Sequence, residues 1–485
     1  MSVSRKILVT GATGYVGGRL VPRLLEEGDT VHCLVRDPDR LQGRTWLQQV
    51  KCFTGDVCNP ETLPPALEGV EIAYYLVHSM GGGAGYAERD REAAHAFATA
   101  AKEAGVQRII YLGGLAKPGQ TLSKHLQSRM ETGEALREPG VPVTEFRAGV
   151  VVGSGSLSFE MIRYLTERVP FMICPHWVNT KAQPIGIRDV LDYLSAARNV
   201  PESTGRIIEI GGEEVLTYGE MMLGYAKARG LKRRMVPVPW LTPRLSSYWV
   251  HLVTPIPATI ARPLILGLKN ENVITDFSAR TLFPDISPCS YGTSLQRALA
   301  RLDAGEVETA WSDTIGGARP PVTLLSREGM ILEQRTRTVP TSPGAAFLAV
   351  CSLGGQTGWL YMNWAWRLRG ALDRLLGGVG MRRGRRDPVE LRVGDALDFW
   401  RVEAVDPAHL LRLRAEMKVP GKAWLEFQID PSANNSECVQ LTQTAIFAPK
   451  GLSGLLYWYA LYPIHSLIFS GMIRKLAQKA ATQAP

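Results

Sequence analysis

Residues 6–20, KILVTGATGYVGGRL, join an apolar run to a glycine-spaced turn and then to a stretch with helical spacing. Ile7, Leu8 and Val9 read as a buried strand, and Gly11, Gly14 and Gly17 follow directly after it. Three needs are met there: a tight turn, a backbone approach close enough for a pyrophosphate, and close packing of helix on strand. The helix expected from Tyr15 to Glu27 presents open amides and the positive end of its dipole to phosphates. With a strand before and a helix after, Gly11, Thr13, Gly14, Tyr15, Val16 and Gly17 are expected to cradle a dinucleotide. A tight strand-to-helix turn without a ligand is the bland alternative.

The next strand, TVHCLVR, ends in Arg36, where a cofactor lacking a 2′-phosphate favours Asp or Glu against the ribose hydroxyls. An arginine there accommodates a 2′-phosphate, so NADP(H) is expected in preference to NAD(H), with Arg40 one helical turn later. Asp37 and Asp39 follow Arg36 and blunt its charge, which leaves an ordinary surface arginine as the alternative. Asp56, in FTGDVCNPETL, is suited to accept from the adenine amino group with Val57 beside the ring; capping the next helix suits it equally. After strand four, YYLVHSMGGG brings Leu76, Val77, His78 and Ser79 to the cofactor's path, and Gly81 to Gly83 suggest a loop over that mouth.

Across the first half, apolar runs alternate with helical stretches: KILVTG, TVHCLVR, VKCFTGDV, EIAYYLVHS, RIIYLGGL and VTEFRAGVVVG. Near-continuous β-branched runs of this kind belong to a parallel sheet buried on both faces, so a doubly wound α/β Rossmann domain is expected over 1–325. From Pro170 to about Arg319 the pattern loosens. A helix in PIGIRDVLDYLSAARNV, a strand in GRIIEIGG and a Pro-rich stretch from Pro237 to Pro263 read as accessory elements over the sheet's carboxyl edge.

Over 326–485 the pattern changes. From Gly394 onward Leu411, Leu413, Ala415 and Met417 alternate with Arg412, Arg414 and Glu416, and the turn signals DPAH, VPGK and DPSANNS separate the runs. That is an antiparallel sheet with one solvated face. The closing run from Gly451 to Ile473 contains no Asp, Glu, Lys or Arg and has roughly membrane-spanning length. Pro463, His465 and Ser466 stand near its middle and the sheet needs a cover, so a helix held by the sheet is preferred to a spanning one, with membrane association through 451–473 as the intermediate reading.

The chain of 485 residues carries a formal charge of +9, spread along its length except for MRRGRRDP at 381–388. No aromatics interleave with those arginines, so nucleic acid is not an expected partner. Seven cysteines stand singly, without CxxC or His/Cys ligand spacing, so neither a metal site nor a disulfide framework is expected and a reducing cytoplasm fits. Met1 leads straight into a strand, without the apolar region of a secretion signal.

The stretches ILVTGATGYVGGRL, LVR and GDV resemble the extended and atypical short-chain dehydrogenase/reductases, particularly the NmrA-like branch, over roughly residues 1–320. The resemblance implies NAD(P)H-dependent redox chemistry. It also implies a Tyr-x-x-x-Lys pair on the helix after strand five and a Ser or Thr at that strand's end. Here strand five ends in Gly113-Gly114, and SKHLQSRMETGEAL puts His125 and Arg129 in the Tyr and Lys positions, four apart and on one helical face. An imidazole titrating near neutral pH acts as a general acid, and an arginine holds ribose or phosphate without joining the proton traffic. The alternative is an exposed polar face behind a Ser123 cap.

The second half resembles a domain of unknown function that often follows such reductases, itself similar to the Bet v 1/START-like helix-grip superfamily. A curved antiparallel sheet around a long C-terminal helix is implied, often with an apolar ligand cavity. Trp364, Trp366, Trp400, Trp424, Tyr457, Trp458 and Tyr459 are available to line one or to fill a core. The expected function is reduction of a hydrophobic carbonyl or quinone-like substrate; the alternative is a non-catalytic sensor or assembly factor that reads NADP(H).

Overall fold

The apolar run after Arg5 becomes strand β1 (Lys6–Thr10), with Ile7, Leu8 and Val9 fully buried. The computed structural model that shows this describes residues 4–41, 44–78, 85–117, 119, 121–238, 265–304, 322–327, 330–355, 357–375, 380, 391–432 and 438–482. Ser79, Gly81 to Gly83, most of the Pro237–Pro263 stretch and the MRRGRRDP cluster lie outside the described residues.

Two compact units are present, Met1–Gly316 and Gly317–Pro485. In the first, β2 (Thr30–Val35), β3 (Lys51–Thr54), β4 (Ile72–Tyr75), β5 (Arg108–Gly114), β6 (Val143–Ala148) and β11 (Ile207–Ile210) join β1 in one sheet of order β11-β6-β5-β4-β1-β2-β3. Every neighbouring pair is parallel. The strand order reverses between β1 and β4, and in open α/β sheets that reversal opens a crevice at the strands' carboxyl ends.

Alternation along β1 explains burial on both faces. Ile7 and Val9 join Leu20, Val21 and Leu24 of α1 (Gly17–Glu26) and Val190, Leu191 and Leu194 of α6 (Ile187–Ala197). Leu8 faces the opposite layer, with Ala94, Phe97 and Ala101 of α3 (Tyr86–Glu103).

Beyond β6 the reading needs a correction. GRIIEIGG is no accessory strand: as β11 it extends the main sheet beside β6, with Ile208 opposite Phe146. Its Ile208 and Ile210 are buried in the same core as β1. The accessory layer consists instead of the short pairs β7 (Val151–Val152) with β10 (Ile185–Gly186), β8 (Phe171–Cys174) with β13 (Arg234–Pro237), and β9 (Lys181–Ala182) with β12 (Leu216–Thr217). Helices α5 (Leu157–Arg168) and α7 (Tyr218–Ala228) pack there around Phe159, Tyr225 and Met221.

The second unit is an antiparallel sheet that starts well before Gly394. Its order is β14-β15-β20-β19-β18-β17-β16, and β14 (Val322–Arg327) already contains position 325. Strand β15 (Met330–Val339) pairs β20 (Val439–Pro449) over nine residues. The other strands are β16 (Ala396–Leu397), β17 (Trp400–Asp406), β18 (Leu410–Ala415) and β19 (Gly421–Pro431). In β18, Leu411 and Leu413 are fully buried, whereas Met417 lies past the strand.

The closing run is one helix, Gly451–Thr482. No described helix is long and apolar enough to cross a membrane. Its Trp458 stacks on Phe447 of β20 at 5.4 Å, and Met472, Ile473 and Leu476 enter the core. Trp366, Trp400, Trp424 and Trp458 are buried, but Trp364 and Tyr459 are 63% and 54% exposed. Trp364 stands two positions from Trp366, on the opposite side of the helix Asn363–Leu375.

Candidate functional site

The glycine turn and the end of β4 are in direct contact. Gly11 has a φ of +74°, and a Cβ there would lie 2.5 Å from the Leu76 carbonyl oxygen. A Cβ on Gly17 would lie 2.3 Å from the Gly11 carbonyl oxygen, so helix α1 approaches β1 as closely as a side-chain-free residue permits. Gly14 closes the turn, its amide donating to the Gly11 carbonyl at 2.8 Å. No side chain caps α1 at Val16, so a negative ligand suits its N-terminus.

Thr10 ties this turn to its neighbour, a role the sequence reading missed. Its hydroxyl donates to the Tyr74 carbonyl at 3.0 Å and accepts from the Leu76 amide at 3.2 Å. A threonine closing a buried strand just before the glycine turn was the available signal. Thr13 is half-buried in the turn. The Tyr15 side chain is directed elsewhere: the Arg19 guanidinium covers its ring at 4.2 Å, and a Cβ on Gly153 would meet its hydroxyl at 2.3 Å. Tyr15 therefore offers the turn its backbone.

At the end of β2, Arg36 is exposed. A guanidinium nitrogen of Arg40 is buried without a hydrogen-bond partner. An orphaned donor on Arg40, four residues after the exposed Arg36, fits a phosphate on a ribose. Asp56 does not cap the next helix: its Oδ1 accepts from the Cys58 amide at 3.0 Å in a local turn, Asn59 stands at the N-cap of the turn Pro60–Thr62, and the Thr62 hydroxyl holds the Asp56 backbone. Val57 is buried in the core with Leu34 and Leu63.

Leu76 and Val77 are half-buried at the β4 end. His78, expected to line the cofactor, joins a chain of side chains. Its Nδ1 lies 2.9 Å from Asp90 Oδ2, and its Nε2 lies 3.3 Å from Nδ1 of His125 on α4 (Lys124–Arg137). Asp90 is 5% exposed. It went unread in the sequence, although it falls in helical phase with the buried Ala93, Ala94, Phe97 and Ala101 of α3. A carboxylate on an apolar stripe requires a partner.

Burial, together with the nearby His78 and the Arg129 charge, pushes the His125 imidazole down to about 3. His125 therefore does not titrate near neutrality as expected. The His78 pKa is also lowered, again chiefly by burial, with the hydrogen bond to Asp90 opposing. Charging either buried ring carries a desolvation cost, which among the described residues Asp90 offsets.

Arg129 is turned toward the strand end. Its guanidinium donates to the Leu112 carbonyl and sits 5.3 Å from the centre of the Tyr111 ring, whose hydroxyl donates to the Arg129 carbonyl at 2.9 Å. The two glycines in place of a Ser or Thr have a packing reason. A Cβ on Gly114 would lie 3.0 Å from Leu126 Cδ2, and one on Gly113 would lie 3.0 Å from Glu145 Oε1. Ser123 caps α4 as expected, accepting from the Leu126 amide.

A separate cavity of about 220 Å³ lies between α1, α6 and the helix Tyr291–Ala304. It shares only Tyr15 with the expected cofactor residues, so it is distinct from the nucleotide cleft. Among the described residues, no group of three or more His, Cys, Asp or Glu side chains gathers as a metal site.

Residues 11–138 match a family described as NAD(P)H-binding, and residues 330–472 match a family described as protein of unknown function (DUF2867). The photosystem II assembly factor Ycf39 of Cyanophora paradoxa is 25% identical over 241 residues, covering 48% of this chain and 71% of that protein. The ceramide reductase of Caulobacter vibrioides is 26% identical over 238 residues, covering 48% and 73%. Among solved structures, a triphenylmethane reductase from Citrobacter sp. superposes with a TM-score of 0.51 at 19% identity, covering 61% of this chain and 99% of that one, which shows a shared fold. The glycine turn, the strand order and the family match over residues 11–138 together make the first unit a Rossmann-like domain with an NAD(P)H-binding region.

Proposed function

We propose that the protein is an NADPH-dependent oxidoreductase that reduces a hydrophobic carbonyl or quinone-like substrate, with the Asp90–His78–His125 chain handling the proton. The pairing of His78 with His125 at 3.3 Å carries this reading, because it supplies a proton path where the usual Tyr and Lys are replaced. Gly11, Gly14 and Gly17 with the uncapped helix seat the pyrophosphate; Arg36 and Arg40 hold the 2′-phosphate. Bound NADPH supplies the hydride.

The protein's own part is a proton relay: both rings have lowered pKa values, so the pair rests neutral and holds an extra proton only in passing. In the neutral pair, His78 donates Nδ1–H to Asp90 and accepts at Nε2 from His125 Nδ1–H, an assignment set by the hydrogen-bond network. Taking up one proton reverses the inner bond: His78 Nε2–H then donates to His125 Nδ1, and His125 Nε2–H becomes the outward donor. When that outer proton leaves for the substrate oxygen, the inner proton moves from His78 to His125 and the neutral pair is restored. Asp90 keeps its carboxylate throughout and steadies the charged state. Arg129 braces the end of β5 through the Leu112 carbonyl.

The reductases among the relatives support this reading, as do apolar residues at the β4 end. A second reading, a nucleotide-reading assembly factor, is favoured by the likeness to Ycf39 and by the glycines replacing the usual hydroxyl. The second unit, a long helix against an antiparallel sheet, is read as a helix grip, and a cytoplasmic setting fits seven free cysteines. NADPH consumption across apolar ketones, enals and quinones tests the first reading. Turnover with any member supports it; tight NADPH binding without turnover leaves the second.

A further inference from the structure

A helix side that faces water ordinarily carries charged and polar residues. Two neighbouring helices of the second unit break that rule. On Gly451–Thr482, Leu452, Leu456, Tyr459, Ile464 and Leu467 are between 39% and 63% exposed, and residues 451–473 contain no charged side chain. On Asn363–Leu375, Trp364, Leu368, Leu372 and Leu375 are between 46% and 83% exposed, spaced by four, four and three. The helices meet through Arg369, whose guanidinium lies 5.3 Å from the Tyr457 ring centre, and through Trp366, 6.4 Å from Phe469. Single exposed apolar residues are ordinary, but paired stripes on touching helices mark an interaction surface.

Charge selects the occupant. Gly451–Thr482 has no acidic residue at all, and Lys450, Arg474 and Lys475 stand at the ends of its stripe. The one acid of Asn363–Leu375, Asp373, is 1% exposed and accepts from the Gly380 and Lys418 amides, and the other charged residues of that helix, Arg367, Arg369 and Arg374, are all cations. An apolar stripe rimmed by cations suits the boundary between anionic headgroups and acyl chains. A second copy of the same face would bring cation against cation. Burial of Met472, Ile473 and Leu476 in the core holds the long helix flat on the unit.

We propose that the helices Asn363–Leu375 and Gly451–Thr482 form a docking face for an anionic lipid surface. Their leucines, Trp364 and Tyr459 enter the headgroup boundary, and the arginines and lysines meet lipid phosphates. The inference is independent of the reductase reading.

Sedimentation of the full chain with lipid vesicles tests it. Vesicles of phosphatidylcholine mixed with phosphatidylglycerol should bind the protein, pure phosphatidylcholine should bind it about tenfold less, and added salt should weaken the binding. Leu368→Glu with Leu456→Glu should reduce binding by about a hundredfold or more while leaving circular dichroism and NADPH binding unchanged. Bromine-labelled lipid should quench the wild type more than Trp364→Phe, a readout that holds even if the double variant fails to fold. Absence of binding, binding indifferent to these substitutions, or a dimer that the double variant dissolves would overturn the proposal.

Discussion

His78 Nε2 stands 3.3 Å from His125 Nδ1, and Asp90 Oδ2 stands 2.9 Å from the other nitrogen of His78. Two strand-and-helix segments distant in sequence thus place three titratable groups in a line. Asp90→Asn removes the charge that steadies the protonated pair. It is expected to lower reductive kcat/KM by about 10²- to 10⁴-fold while leaving the NADPH Kd unchanged, as initial rates and a fluorescence titration would show.

The same burial sets an acid sensitivity. The folded His125 pKa of about 3 lies below its ordinary value of 6.5, so the unfolded chain takes up the proton first. Stability contributed by keeping His125 neutral is complete above about pH 6.5 and is lost as pH falls toward about 3. At about pH 5 the loss is about 2 kcal/mol. His125→Gln should therefore unfold at lower pH than the wild type in an acid titration followed by circular dichroism.

For the cofactor, Arg36→Ala should weaken NADPH by about tenfold to a hundredfold and leave NADH nearly unchanged, the difference being one charge-assisted contact. Isothermal titration with both nucleotides checks this. Equal losses would remove the 2′-phosphate assignment.

Gly17→Ala places a methyl where the Gly11 carbonyl oxygen lies 2.3 Å away. The turn must spread, and the thermal midpoint should fall together with NADPH affinity. Gly28→Ala is the comparison: a Cβ meets nothing there, but its φ of +88° still strains the backbone. Its effect should be confined to stability.

Much of this was legible in residues 6–20 because a strand, a glycine turn and a helix leave local periodic signals. Six of the seven parallel strands follow from apolar runs of the same kind. The seventh, β11, was misplaced because GRIIEIGG arrives after a long excursion, and only tertiary pairing with β6 assigns it to the sheet. Strands β14 and β15 were missed because VTLLSR and MILEQRTRTV are rich in charged and polar residues, several of which, such as Glu333 and Arg335, are buried as a pair. His125 was legible as a position but not as a chemistry. Its partners His78 and Asp90 lie 47 and 35 residues away in sequence, and no local pattern links them.

The most direct test is NADPH oxidation by wild type and His125→Ala against the same panel of apolar ketones, enals and quinones, with the NADPH Kd measured alongside. The predicted result is turnover of at least one substrate by the wild type, reduced about 10²- to 10⁴-fold in the variant at unchanged NADPH affinity. Turnover equal in the two proteins, or NADPH binding without any turnover, would contradict it.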